Sequence, residues 1–116
     1  MDNWETPTWL ISLFENWFDP CPINANPIID GLKIEWQDRT FVNPPYSNPL
    51  PWVEKAIEES KKGKIIVMLL HVDTSTKWFA KLNEANAHIL WFAKRLNYSD
   101  KKGGASPKPS MLVILK

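Results

Sequence analysis

The chain of 116 residues has a single cysteine, Cys21, and two histidines. One cysteine excludes an intramolecular disulfide. One cysteine with two histidines gives no zinc-ligand spacing, so no metal is expected. Excess charge is also missing: 14 Lys and Arg against 13 Asp and Glu leave a formal net charge of +1. A chain that grips a duplex usually carries a basic face, so any nucleic-acid contact must come from a local patch or a partner subunit. Long hydrophobic runs are absent too. The longest aliphatic run, Ile65 to Leu70, is far too short to cross a bilayer, and Met1-Asp2-Asn3-Trp4 has neither a charged n-region nor an apolar h-region. There are no internal repeats and no clear linker. The expectation is one soluble, cytoplasmic domain spanning 1–116, without membrane contact and long enough to bury a core.

What the chain has instead is proline and tryptophan, ten and seven of them. Most of the tryptophans are expected to anchor the core or an interface. The prolines matter most in Asn43-Pro44-Pro45-Tyr46. Here an amide is followed by two rigid residues without backbone donors and closed by an aromatic plane. The Asn43 side-chain oxygen and a proline carbonyl are suited to accept the two hydrogens of an exocyclic amino group. That draws the nitrogen lone pair out of conjugation and makes it nucleophilic. Tyr46 offers a face on which a flipped base stacks. The prolines fix φ, so the carbonyls stand on a stiff turn. Taken alone, Pro-Pro-Tyr also reads as a polyproline turn or docking ligand.

The surroundings favour the chemical reading. Thr40-Phe41-Val42 is a short β-prone run leading into the motif. Trp52 to Lys61 then reads as a helix with Val53, Ala56, Ile57 and Ser60 on one face. A loop at the carboxyl end of a strand, ahead of a helix, is where open α/β sheets bind ligands.

Elsewhere, Thr6-Pro7 reads as a helix start, a hydroxyl N-cap before proline, with Leu10, Leu13, Phe14 and Trp17 as its apolar stripe. Leu32 to Trp36 alternates as a short strand would after the Asp30-Gly31 turn. Lys64 to Leu70 resembles a strand buried on both faces of a parallel sheet. Asp73-Thr74-Ser75-Thr76 supplies N-cap candidates, Asp73 foremost, for a helix to about Ala85. His88 to Phe92 and Met111 to Leu115 are further strands, separated by a Lys-, Gly- and Pro-containing loop. This alternation predicts an α/β fold.

Some polar residues have two readings. Asp19, between an aromatic and a proline, is a turn-former or a site carboxylate, and Asp30 before Gly31 is more simply a turn residue. His71 follows a buried strand, but no Ser, Cys or acid at a useful spacing makes a triad with it. Arg39, Lys94, Arg95, Lys101, Lys102 and Lys108 are candidates for a phosphate-facing rim, each alone being more often a solvated charge.

Asn-Pro-Pro-Tyr is the signature of S-adenosylmethionine-dependent amino-methyltransferases. Trp4-Glu5-Thr6-Pro7, Asp19-Pro20-Cys21-Pro22, Asp30-Gly31-Leu32, Phe41 to Ser47, Trp52 to Ala56, Thr76-Lys77-Trp78-Phe79 and Arg95-Leu96-Asn97-Tyr98 accompany it. With these the chain resembles the phage-type DNA N6-adenine methyltransferase (Dam) family over nearly its whole length. The resemblance implies a truncated Rossmann-like methyltransferase fold, a mostly parallel central sheet with helices on its faces, S-adenosylmethionine as methyl donor and DNA adenine N6 as acceptor. It implies that Asn43 and the Pro44 carbonyl hold the amino group, that Pro45 shapes the turn and that Tyr46 stacks. Trp4, Thr6 and Pro7 resemble the element that touches the methionine part of the cofactor. Asp19, with Pro20 and Cys21, is similar to the first acidic cofactor motif, and Asp30 to a later one facing the adenosine. Ser47 and the basic residues named above are then expected to meet the nucleic acid.

The sequence departs from the pattern in two places. Pro20-Cys21-Pro22-Ile23-Asn24 replaces the glycine-rich turn after the first strand, and the stretch from Asp19 to Asn43 leaves little room for the elements that normally hold the cofactor ribose. No segment is large enough for a separate target-recognition domain. A near-neutral chain of this size has few charges to offset the cost of flipping a base out, so a homodimer or a single-stranded or distorted substrate is expected. Methylation of RNA adenine or protein glutamine, and an inactive binding module of the same fold, are the competing readings.

Overall fold

The computed structural model of the chain describes residues 6–22, 30–93, 96 and 109–116. The elements are α1 (Thr8–Ile11), continued by a 3-10 turn (Ser12–Phe14), β1 (Arg39–Val42), α2 (Leu50–Ser60), β2 (Ile65–His71), α3 (Lys77–Glu84), β3 (His88–Trp91) and β4 (Ser110–Leu115). The strands form one mixed sheet in the order β1-β2-β4-β3. β1 and β2 pair in parallel, with Val42 opposite Met68. β4 is antiparallel to both β2 and β3. Three strands therefore run one way and β4 runs back between two of them, so the sheet is less parallel than expected. Outside β1, Phe18 forms a parallel bridge with Thr40. Its N–H donates to Arg39 O and its carbonyl accepts from Phe41 N–H, each at 2.9 Å.

The alternation of side chains along β2 explains why helices cover both faces. Ile66, Met68 and Leu70 point to one side, where Val53 and Ala56 of α2 and Trp78 and Leu82 of α3 pack with Val42, Met111, Val113 and Leu115. Val67 and Leu69 point to the other, where they meet Leu10, Phe41, Leu96 and Leu112. β2 is thus buried on both faces, as its unbroken apolar run predicts, with a reversed strand on one side.

Local chemistry sets the ends. Thr76 caps α3, its Oγ1 accepting from Phe79 N–H at 3.2 Å. Asp73 is not the cap; its Oδ1 accepts from the backbone and hydroxyl of Ser75, in a turn just ahead of the helix. After α2 the chain turns into β2 through Gly63, whose φ of 91° suits a residue without Cβ.

Three other expectations are corrected. Thr6 does not cap α1: Pro7 holds the N-cap position without a side-chain bond, and the Thr6 hydroxyl accepts from the Asn43 amide instead. The expected stripe on that helix breaks after one α-helical turn, and the tightening to 3-10 geometry leaves Leu13 65% exposed while Leu10 is buried. Leu32 to Trp36 is a series of turns and bends, not a strand. Trp36 is held there by side chains: its Nε1 donates to Gly31 O at 2.7 Å, and its backbone N–H donates to Glu59 Oε1 at 2.9 Å.

Glu59 is the hub of a buried charge network at the end of α2. Lys64 Nζ donates to both Glu59 Oε1 and Trp36 O. Lys62 Nζ lies 2.9 Å from Glu59 Oε2, and Lys55 Nζ is 3.6 Å away. Burial pushes the Glu59 carboxyl up. Hydrogen bonds from Lys64, Lys62 and the Trp36 N–H, with the charge of Lys55, outweigh this and bring it down to about 2.

Candidate active site

β1 ends at Val42, and Asn43 is the next residue, at the carboxyl edge of the sheet. Pro44 is buried, Asn43, Pro45 and Tyr46 are half-buried, and Ser47 is exposed. Asn43 Nδ2 donates to Thr6 Oγ1 at 3.2 Å. This bond turns the amide so that Oδ1, itself below the surface, faces away from Thr6. Thr6 is held because Pro7 is buried and its carbonyl accepts from the N–H groups of Leu10 and Ile11, at 3.0 and 2.9 Å.

The Asp19 segment leaves the same end of the sheet. Since Phe18 pairs in parallel with Thr40, residues 19 to 21 emerge beside the end of β1. Asp19 Oδ1 accepts from Cys21 N–H at 2.9 Å, the bond of a turn-forming aspartate. The residue keeps solvent access, yet surrounding atoms crowd it. That burial raises its carboxyl above the usual aspartate value, against the opposing pull of the Cys21 N–H. Asp30 Oδ1 accepts from Leu32 N–H at 3.0 Å, also within a turn.

Gly31 joins the two acidic segments. A Cβ at Gly31 would fall 1.9 Å from Pro20 O and 3.0 Å from the Trp52 ring. Only a residue without a side chain lets the Asp30 turn lie against Pro20 and under Trp52.

The structure thus joins Thr6 to Asn43, and Asp30 through Gly31 to the Asp19-Pro20-Cys21 turn. Arg39 stands apart, at the start of β1, roughly 13 Å along the strand from Asn43. Trp4, Lys94, Arg95, Lys101, Lys102 and Lys108 lie outside the described residues. Among the described residues no group of three or more His, Cys, Asp or Glu is placed to hold a metal, and no helix is long and apolar enough to cross a membrane. A cleft of about 420 Å³ opens between α2 and α3, lined by Glu54, Ile57, Glu58, Lys61, Lys81, Glu84 and Ala85. None of these belongs to the loop, and charged groups dominate the lining, so size alone does not make it the reactive site.

Sequence reasoning missed two contacts. The Thr6–Asn43 bond joins residues 37 apart and has no local signal. His71 lies against Tyr46, ring centroids 3.8 Å apart and planes tilted by 34°. Its place at the end of a buried strand next to the loop-bearing strand was the available clue.

A strand-end Asn-Pro-Pro-Tyr loop with its amide bonded to a hydroxyl thus stands at the carboxyl edge of an α/β sheet, where the Asp19 turn also emerges. The family model described as DNA N-6-adenine-methyltransferase (Dam) matches residues 1–116, and the chain belongs to that family. It is 35% identical over 136 aligned residues to the DNA N-6-adenine-methyltransferase of Haemophilus phage HP1 (strain HP1c1), covering 99% of this chain and 79% of that protein. It is 32% identical over 105 residues to the DNA N-6-adenine-methyltransferase of Escherichia phage T1, covering 78% of this chain and 44% of that protein. No solved structure matches the chain.

Proposed function

We propose that this family member, a DNA N6-adenine methyltransferase, performs its reaction at the Asn43-Pro44-Pro45-Tyr46 loop with S-adenosylmethionine as methyl donor. The observation that carries the proposal is the bond from Asn43 Nδ2 to Thr6 Oγ1, which presents the amide oxygen in one orientation. Asn43 Oδ1 and the Pro44 carbonyl accept the two hydrogens of the adenine amino group. The nitrogen lone pair is then drawn from the ring and turned toward the donor. Tyr46 stacks on the extruded base and holds its plane. These contacts strengthen as the nitrogen acquires positive charge, so they act mainly in the transition state.

The cofactor, when bound, supplies an electrophilic methyl group on a sulfonium. The residues present suit it. The crowded Asp19 carboxylate is matched to an ammonium or hydroxyl donor, Asp30 to a ribose hydroxyl, and Gly31 leaves the space that a Cβ would fill. Trp4 and Pro7 complete the N-terminal contact in this reading. The basic residues Lys94, Arg95, Lys101, Lys102 and Lys108, with Ser47 and Arg39, are proposed to meet phosphates. Near-neutral charge and small size favour a homodimer or a single-stranded or distorted DNA substrate.

Transfer of labelled methyl from S-adenosylmethionine to DNA, RNA and protein in parallel tests the acceptor. Label in DNA alone supports the proposal, and label in RNA or protein alone refutes it. Calorimetry with the cofactor adds a separate check: Asp19→Ala should weaken binding by about 1.5–3 kcal/mol, the value of one charge-assisted bond. Unchanged affinity would leave Asp19 as a turn-former.

A further inference from the structure

β2 runs past β1 at the carboxyl edge. Val42, the last residue of β1, is opposite Met68, and Leu69, Leu70 and His71 continue beyond it. β4 fixes this extension: His71 is paired with Ser110, which is buried, and Val72 N–H donates to Pro109 O at 2.9 Å. The loop leaving β1 folds back over the extension, so that the Tyr46 ring rests on the His71 imidazole with centroids 3.8 Å apart. Both residues are half-buried, and the Tyr46 hydroxyl oxygen is below the surface.

Two consequences follow from that spacing. At 3.8 Å no third ring fits between the two, so the imidazole covers one face of the phenol and a base that stacks on Tyr46 must use the other. The two rings are also anchored differently. Tyr46 sits on a loop, whereas His71 belongs to a strand locked on its β4 side. A strand residue behind a loop residue acts as a back wall.

We propose that His71 is a positioning residue for methyl transfer: it backs Tyr46 so that the phenol ring is already in the plane that receives the extruded adenine. The role rests on the acceptor reading proposed above, while the ring contact itself does not. His71 acts through Tyr46 and exchanges no proton with the substrate. Any flat ring at this position should serve.

The test uses the full chain with His71→Ala and His71→Phe. Proton NMR reads the contact without any turnover. The chain has two tyrosines, so Tyr46→Phe assigns the Tyr46 ring signals. His71→Ala should remove their ring-current shift and His71→Phe should keep one. Single-turnover methyl transfer into DNA at saturating cofactor reads the role. His71→Ala should lower the efficiency on DNA by about tenfold, the upper range for losing one aromatic pair. His71→Phe should return it to within about twofold, on the same aromatic-pair argument. Cofactor affinity should stay at its wild-type value in both variants, while the melting temperature should fall by a few degrees in His71→Ala and recover in His71→Phe, as the lost and restored ring contact require.

Full activity in His71→Ala, or a failure of His71→Phe to restore a lost rate, overturns the inference. A faster His71→Ala also overturns it, by showing that the imidazole occupies the place of the base. A wild-type chain that methylates no DNA overturns the acceptor reading and with it the role of His71, whatever the ring signals report.

Discussion

Removing the Glu59 carboxylate should destabilise the fold by about 3–5 kcal/mol, the usual result of leaving one partner of a buried ion pair behind. Glu59 is inaccessible to solvent and Lys64 is 7% exposed. In Glu59→Ala the Lys64 ammonium keeps the Trp36 carbonyl and the exposed Glu35 carboxylate 3.5 Å away but loses its buried counter-charge, and the Trp36 N–H loses its acceptor. For a domain of ordinary stability, about 5–15 kcal/mol, that is a large share. The same network gives a pH signature. The Glu59 carboxyl lies at about 2 in the fold, against 4.5 for an ordinary glutamate. Its stabilisation is therefore complete above the ordinary value and is lost as pH falls through the folded one. At face value the difference corresponds to ~3 kcal/mol. The half-exposed Lys62 on one side of the carboxylate is screened by solvent, which lowers the contribution to ~2 kcal/mol. Urea denaturation from neutral pH down to about pH 2 measures both effects. Wild type should lose stability progressively over the acid range and Glu59→Gln should lose less. The apolar pair Glu59→Met with Lys64→Met should be more stable than Glu59→Ala, since neither charge is then stranded. A Glu59→Ala variant within about 0.5 kcal/mol of wild type would refute the reasoning, because that is the scale of an inconsequential surface change.

Gly31→Ala forces a Cβ to within 1.9 Å of Pro20 O, so the Asp30 turn must move. A loss of about 1–3 kcal/mol by thermal melting, together with weaker cofactor binding, is expected. Thr6→Val keeps the shape of Thr6 and removes the acceptor for Asn43. The single-turnover rate should fall by about tenfold, the effect of one misplaced polar contact, and Thr6→Ser should retain it. In an Asn43→Ala background Thr6→Val should have little further effect, and additive losses would show that the two act independently. Tyr46→Ala should weaken DNA binding by about 1–3 kcal/mol, the worth of one base stack, read by anisotropy with unmethylated DNA.

The legible parts of this chain were those fixed by local pattern. The unbroken apolar run from Ile65 gave β2, and the spacing of Val53 and Ala56 gave α2. Thr40 to Val42 followed by Asn-Pro-Pro-Tyr gave a strand with a loop leaving its carboxyl end. The illegible parts depend on distant partners. Leu32 to Trp36 alternates like a strand, but the Trp36 N–H bonds to Glu59 and its indole N–H to Gly31, so side chains satisfy what a sheet would have. Thr6 reads as a helix cap, yet its hydroxyl serves Asn43. The apolar run of β4 carries no mark of direction, and its antiparallel insertion between β2 and β3 is visible only in the assembled sheet. His71 gained a candidate role only when the overhang of β2 placed it against Tyr46.

The central claim is that the Asn43 amide activates an adenine amino group in DNA. The most direct measurement incubates DNA with S-adenosylmethionine and either wild-type or Asn43→Ala protein, then quantifies N6-methyladenine by mass spectrometry, with cofactor affinity measured on the same samples. Wild type should produce N6-methyladenine. Asn43→Ala should bind the cofactor equally well and form product at least about a hundredfold more slowly, as expected for losing one well-aimed polar contact in the transition state. Near-normal N6-methyladenine from Asn43→Ala, or none from wild type with cofactor bound, would contradict the account.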